Sequence, residues 1–290
     1  MQQKKGGKGF MTISREKITS RQNRLVVDTV KLSERKARVA RGEFRFDGKK
    51  LFGEAAAFGV VIRKILLAES KAQRMLSEIE QYRDAEALAD AVVYILSDDV
   101  FAKVSEEQAP EGILCVASFP SFHATGEAGR RKLLQVAEMP LKSVLLLESV
   151  RDPGNVGTIL RSASAFGIGC VAISSDCADI YNPKTIRGAM GALFRTEIAV
   201  FDDITEAVRI LKREGHRVYA VALDPDAVRL GKHTLSAGDC VMVGNEGHGL
   251  SAAAIDAAGQ SLYIPMEEGS ESLNAAIAAS VILWSLYGDK

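Results

Sequence analysis

The chain has 290 residues, 47% of them hydrophobic and 26% charged, which fits a folded globular protein of up to two ordinary domains and argues against a low-complexity or fibrous chain. No run of eighteen or more residues is apolar enough to span a bilayer, and residues 1–10 lack the apolar centre of a signal peptide, so no membrane role and a cytoplasmic location are expected. The net charge of zero conceals an asymmetry: residues 1–60 carry 15 Lys/Arg against 6 Asp/Glu and residues 61–290 carry 22 against 31, so the basic front either meets an anionic partner, nucleic acid first, or is a solvated arm.

Residues 1–17 read as a flexible basic tail. A helix is expected over 18–40, with a capping signal at Thr19 or Ser20. Residues 43–47 alternate like a short strand closed by Gly48. Helix signals follow at 50–58 and end at Gly59, and 62–68 is strand-like. Residues 70–82 look helical, 85–95 carry a helical pattern at Leu88, Val92 and Ile95, and 97–103 form a short helix before a loop and an apolar strand at 113–117. This alternation suits a small α/β domain over 18–118. Phe119-Pro120, Gly126, Gly129 and Pro140 mark 119–140 as a linker with one short helix at 130–137.

From 141 to 290 the alternation is regular. Strands are expected at 144–148, 170–174, 194–200, 217–223, 239–244 and 261–264, with helices at 155–167, 183–191, 204–214, 250–258 and 272–287. Such a pattern predicts a mostly parallel sheet with helices on both faces. Ligands then bind beyond the carboxyl ends of the strands, which selects the loops after Leu147, Leu223, Val243 and Ile264.

Three of these loops can carry chemistry. After 144–147 comes a polar turn, Arg151 to Asn155, with Asn155 near the start of a helix and Arg161 about two turns in; the plain reading makes Asn155 its N-cap. After Val243 the run Gly244-Asn245-Glu246-Gly247-His248-Gly249 lets the backbone turn sharply and come close to a ligand; the plain alternative is a glycine-rich turn with a solvated Glu. After Ile264, Ser270 or Ser272 caps the last helix, with Asn274 in its first turn. Other chemistries drop out. Gly167-Ile168-Gly169 precedes a strand and lacks a third glycine for a dinucleotide fold. There is no phosphate loop of the GxxxxGK[ST] kind and no GxSxG elbow. The four histidines and the four scattered cysteines show no metal-ligand spacing, so no metal is expected.

These loops, in this order, resemble the signature of the SpoU/TrmH family of RNA 2′-O-ribose methyltransferases: Asn155-Val156-Gly157 with Arg161, Gly244-Asn245-Glu246 with Gly249-Leu250, and Ile264-Pro265-Met266 with Ser272-Leu273-Asn274. The front is similar to the small ribosomal-protein-like substrate-binding domain that precedes the methyltransferase domain in many members, through Ile18-Thr19-Ser20, Asn23, Lys31-Leu32, Arg38, Gly42 and Pro110-Glu111-Gly112-Ile113-Leu114. Residues 44–48 depart from the usual apolar-then-Glu-Gly version.

The resemblance implies an S-adenosyl-L-methionine-dependent methyl transfer to a ribose 2′-hydroxyl of ribosomal or transfer RNA. It implies a C-terminal trefoil knot in the domain 141–290, which physical reasoning alone would not predict, and a homodimer through that domain. It assigns catalysis to Arg161, Asn155, Glu246, Ser272 and Asn274, and cofactor contacts to Leu223, Gly244, Asn245, Glu246, Ile264, Met266, Ser272 and Leu273. An isolated arginine stays protonated near neutral pH, so Arg161 either orients the ribose and stabilises developing charge or acts as the base proposed for the family. Two rival readings stand beside it: a non-catalytic RNA-binding protein on the same fold, and an α/β enzyme acting on a small molecule.

Overall fold

The computed structural model describes residues 11–14, 16–267 and 272–288. The chain divides into two units, Met1–Pro120 and Ser121–Lys290. The first runs β1 (Thr12–Ile13), α1 (Arg24–Lys31), α2 (Arg35–Arg41), β2 (Glu43–Asp47), α3 (Lys49–Ala57), β3 (Ile62–Ala68), α4 (Ala72–Glu80), β4 (Val92–Leu96), α5 (Asp98–Val104) and β5 (Ile113–Ser118). Its sheet has the order β1-β4-β3-β5-β2, with β1, β4 and β3 parallel and β5 antiparallel to both its neighbours. Val26 and Leu32 close one core against Leu66, Leu96, Phe101 and Leu114.

Several expectations change here. The single helix over 18–40 is two helices. Asn23 caps α1 by accepting from the Leu25 N–H, so Thr19 and Ser20 lie outside it. The chain breaks at Leu32 and Ser33, whose carbonyls accept from the buried Arg38 guanidinium at 2.7 and 2.6 Å; carbonyls left open by the break are thereby satisfied. The helical pattern in 85–95 gives way to strand β4, because β-branched Val92 and Val93 pair with the buried β3. Thr12 and Ile13, placed in the tail, pair with Val92 and Val93.

The second unit runs β6 (His123–Thr125), α6 (Gly126–Ala137), β7 (Val144–Leu147), α7 (Pro153–Ala165), β8 (Cys170–Ser174), α8 (Pro183–Ala189), β9 (Ile198–Phe201), α9 (Ile204–Arg213), β10 (Val218–Val221), β11 (Val228–Arg229), β12 (Cys240–Val243), α10 (Ala252–Ala258), β13 (Ser261–Tyr263) and α11 (Ala275–Tyr287). The stretch read as a linker therefore holds an edge strand and a three-turn helix: β6 pairs with β9, and Leu133 and Val136 of α6 enter the core. The sheet order is β11-β13-β10-β12-β7-β8-β9-β6, parallel at every pairing. Parallel strands covered on both sides read as continuous apolar runs, as 144–147 and 170–174 do. Val144, Leu146, Cys170 and Ala172 meet α6, α9 and α10 on one face. Successive residues point the opposite way, toward the layer in which α7 packs on α8 and α11. Gly157 makes the α7–α8 approach possible: a Cβ there would stand 2.5 Å from the Thr185 carbonyl oxygen.

Candidate active site

The carboxyl ends of β7 and β12 lie side by side, with Leu147 paired to Val243. The loops leaving them, 148–152 and 244–251, run next to each other and are tied by side chains. Glu246 faces the first loop. Its carboxylate accepts from the Asn155 amide at 2.8 Å and, at 3.4 Å, from the backbone N–H groups of Arg151 and Asp152. Burial pulls the Glu246 carboxyl upward, but the Asn155 hydrogen bond and the backbone donors outweigh it and hold the group below the ordinary range. Asn155 in turn accepts from the Asn274 side-chain amide at 3.0 Å. One amide therefore joins the loop after β12 to the start of α11.

The helix caps differ from expectation. Asp152, not Asn155, caps α7, its carboxylate accepting the Asn155 N–H at 2.9 Å. Lys184 of α8 lies 2.8 Å from the other Asp152 oxygen, and this ammonium, followed by the backbone donor, lowers the Asp152 carboxyl. Asn274, not Ser272, caps α11, accepting from the N–H groups of Ala276 and Ile277; the alternative cap Ser270 lies outside the described residues. Capping frees the Asn155 side chain for Glu246, and Asn274 serves both as cap and as donor.

Beside this network opens a cavity of about 550 Å³. Leu223, Gly244, Asn245, Glu246, Ile264, Met266, Ser272 and Leu273, the eight residues that the resemblance assigned to the cofactor, all line it. Gly244 could not be another residue, because a Cβ would run into the backbone of Gly249 and Leu250. Asn245 and Gly249 exchange backbone hydrogen bonds of 2.9 and 3.0 Å, closing a tight turn. The wall thus offers backbone polar edges on one side and Leu223, Leu250, Leu262, Ile264 and Met266 on the other. The volume and this mixed lining suit a ligand with a flat heterocycle and a polar tail, as S-adenosylmethionine has.

Arg161 stands apart. It is exposed on α7, does not line the cavity, and its side chain makes no hydrogen bond or ion pair with the described residues. Residues with clear structural roles that sequence reasoning missed are Glu148, Ser149, Asp152, Asp176, Lys184 and Ser251. Their partners are distant in the chain or depend on backbone conformation. Ser149 holds a left-handed conformation (φ 54°), with its N–H donated to Ser174 Oγ and its hydroxyl to Asp176.

Comparison with known proteins places the chain in a family. The model of the SpoU rRNA Methylase family matches residues 142–284, and that of an MRM3-like substrate binding domain matches residues 23–115. The chain is 32% identical over 273 residues, 94% of its own length and 100% of its relative's, to the 23S rRNA (guanosine(2553)-2′-O)-methyltransferase RlmP of Bacillus subtilis. The chain belongs to the SpoU rRNA methylase family. It is thus an S-adenosylmethionine-dependent RNA 2′-O-ribose methyltransferase. The 23S rRNA (uridine(2479)-2′-O)-methyltransferase of Streptomyces viridochromogenes is 26% identical, with 96% of this chain and 93% of that protein covered. The AdoMet-bound rRNA methyltransferase of Sinorhizobium meliloti shares the fold, with a TM-score of 0.78 over 94% of this chain and 97% of that one at 24% identity.

Proposed function

We propose that the substrate is 23S ribosomal RNA, that the loops after β7, β12 and β13 form the catalytic site, and that the enzyme works as a cytoplasmic homodimer. The observation that carries the site assignment is the Glu246–Asn155–Asn274 network lying against the cavity. The bound cofactor supplies an electrophilic methyl group on a sulfonium. Glu246 holds Asn155 and the backbone of 151–152 in place. Asn155 and Asn274 orient the nucleotide, with Ser272 at the cavity rim. Arg161, with its five-donor fork, binds the phosphate beside the target ribose and stabilises charge developing on the 2′-oxygen. The backbone of Gly244, Ile264 and Leu273 holds the adenosine, and Leu223, 76% exposed, lies at the cavity mouth. The resemblance to SpoU/TrmH enzymes adds a trefoil knot around these loops.

Two surface features support the rest. Residues 21–41 carry seven Lys/Arg against Asp28 and Glu34, and Lys31, Arg35 and Lys36 are exposed around the exposed Val39; such a face suits the phosphates and ribose faces of RNA. On α11, Ile277, Val281 and Trp284 form an exposed apolar stripe at helical spacing, Trp284 being 66% exposed. A second copy would cover it. The substrate assignment is tested by transfer of labelled methyl to ribosomal and transfer RNA fractions that lack the modification. Label in the 23S fraction, absent with Arg161→Ala, is expected; label confined to transfer RNA would overturn it.

A further inference from the structure

We propose that Glu148 is a positioning residue for cofactor binding, acting through Ser251 on the turn that walls the cavity; this rests on the reading of that cavity as the S-adenosylmethionine site. Glu148 is the first residue beyond β7, and its N–H donates to the Val243 carbonyl at 3.0 Å, so the β7–β12 ladder fixes where it stands. Its two carboxylate oxygens take the two donors of one residue, Ser251 N at 2.7 Å and Ser251 Oγ at 2.8 Å. Ser251 Oγ also accepts the Ala254 N–H at 3.2 Å as the cap of α10. A hydroxyl has one hydrogen, so the cap fixes its direction and gives that hydrogen to Glu148. A charged acceptor taking both donors is the strong kind of tie.

Among the described residues, side-chain hydrogen bonds anchor the turn before Ser251 to the β7 loop at two places besides Glu246. Asn245 at its start donates to the Ser149 carbonyl at 2.8 Å, and Ser251 at its end holds Glu148. Between them Gly247 and Gly249 leave the backbone permissive, while the same segment supplies the cavity wall, ending in the buried Leu250. Releasing the far anchor lets this wall wander, and a ligand must then order it on binding. Among the described residues Glu148 has no hydrogen bond to the Glu246–Asn155–Asn274 network, its carboxylate being taken by Ser251, so the step that follows binding is unaffected.

The test uses the full-length protein with Glu148→Gln, Ser251→Ala, the double variant, and Ser251→Thr, which keeps the hydroxyl. Calorimetry with S-adenosylhomocysteine and steady-state methylation are run on each. Each of the first two should weaken binding and raise KM for S-adenosylmethionine on the order of tenfold, with kcat within about twofold of wild type. The double variant should be no worse than the worse single one, because the two residues act as one unit. Ser251→Thr should bind like wild type. Loss with Glu148→Gln but not with Ser251→Ala would mean that Glu148 touches the ligand itself and would overturn the proposal, as would additive losses or a fall in kcat with binding intact. A wild-type protein that fails to bind S-adenosylhomocysteine would instead overturn the cofactor reading on which the proposal stands.

Discussion

Asn155 uses both ends of one amide, donating to Glu246 and accepting from Asn274. An isosteric Asn155→Asp places a carboxylate against Glu246 and removes the donor. We expect turnover to fall on the order of 100-fold, as for loss of one oriented hydrogen bond in a reacting site, while S-adenosylhomocysteine affinity changes far less; kinetics and calorimetry on one preparation separate the two. A second residue-scale expectation concerns His123, whose Nδ1 faces the Tyr181 hydroxyl and whose Nε2 faces the Leu193 carbonyl. Burial pushes this imidazole down to about 3. A base whose folded value lies below its unfolded one takes up protons first in the unfolded chain. Its contribution to stability is therefore complete above about pH 6.5 and is lost as pH falls toward 3, by at most about 1.4 kcal/mol per pH unit. Denaturant unfolding of His123→Gln should show a shallower fall over that window than the wild type.

At the scale of elements, α7 and α8 meet backbone to backbone at Gly157 and Gly188. Gly157→Ala forces the helices apart and should cost about 1–3 kcal/mol in denaturant unfolding, and it should weaken the site through Asn155, which rides on α7. Element legibility follows the same physics. β8 reads correctly from CVAIS because both its faces are buried, and α9 reads correctly because its apolar stripe is clean. The misread elements are those set by partners far along the chain. β4 is a strand only because β3 lies beside it, and β6 has three residues and exists only by pairing with β9. The break between α1 and α2 has a near partner instead, Arg38, but its burial is decided by the folded unit and not by the local pattern. The site shows the same division. Its loops were legible because glycine turns and polar residues interrupt apolar runs. The caps Asp152 and Asn274 and the tie from Glu148 to Ser251 were not, because each is a choice among nearby polar residues that only the folded backbone makes.

At the scale of the molecule, the charge asymmetry of the sequence and the apolar stripe of α11 each make an expectation. Replacing Lys31, Arg35 and Lys36 by Gln should weaken RNA binding uniformly across sequences and flatten its dependence on log salt by about 2, with cofactor binding unchanged. A salt slope equal to that of the wild type would remove α1 and α2 from the RNA face. Trp284→Glu puts a charge into the stripe of Ile277, Val281 and Trp284. It should shift sedimentation from dimer to monomer, and a wild type that sediments as a monomer would contradict the dimer. We propose that the Asn155-centred network beside the cavity carries out 2′-O-methylation. The most direct measurement is nucleoside analysis of unmodified 23S ribosomal RNA after incubation with labelled S-adenosylmethionine and either wild type or Asn155→Ala. Wild type should put label into a single 2′-O-methylnucleoside, and Asn155→Ala should lose that label while still binding S-adenosylhomocysteine. Label on a base, or undiminished 2′-O-methylation by the variant, would contradict it.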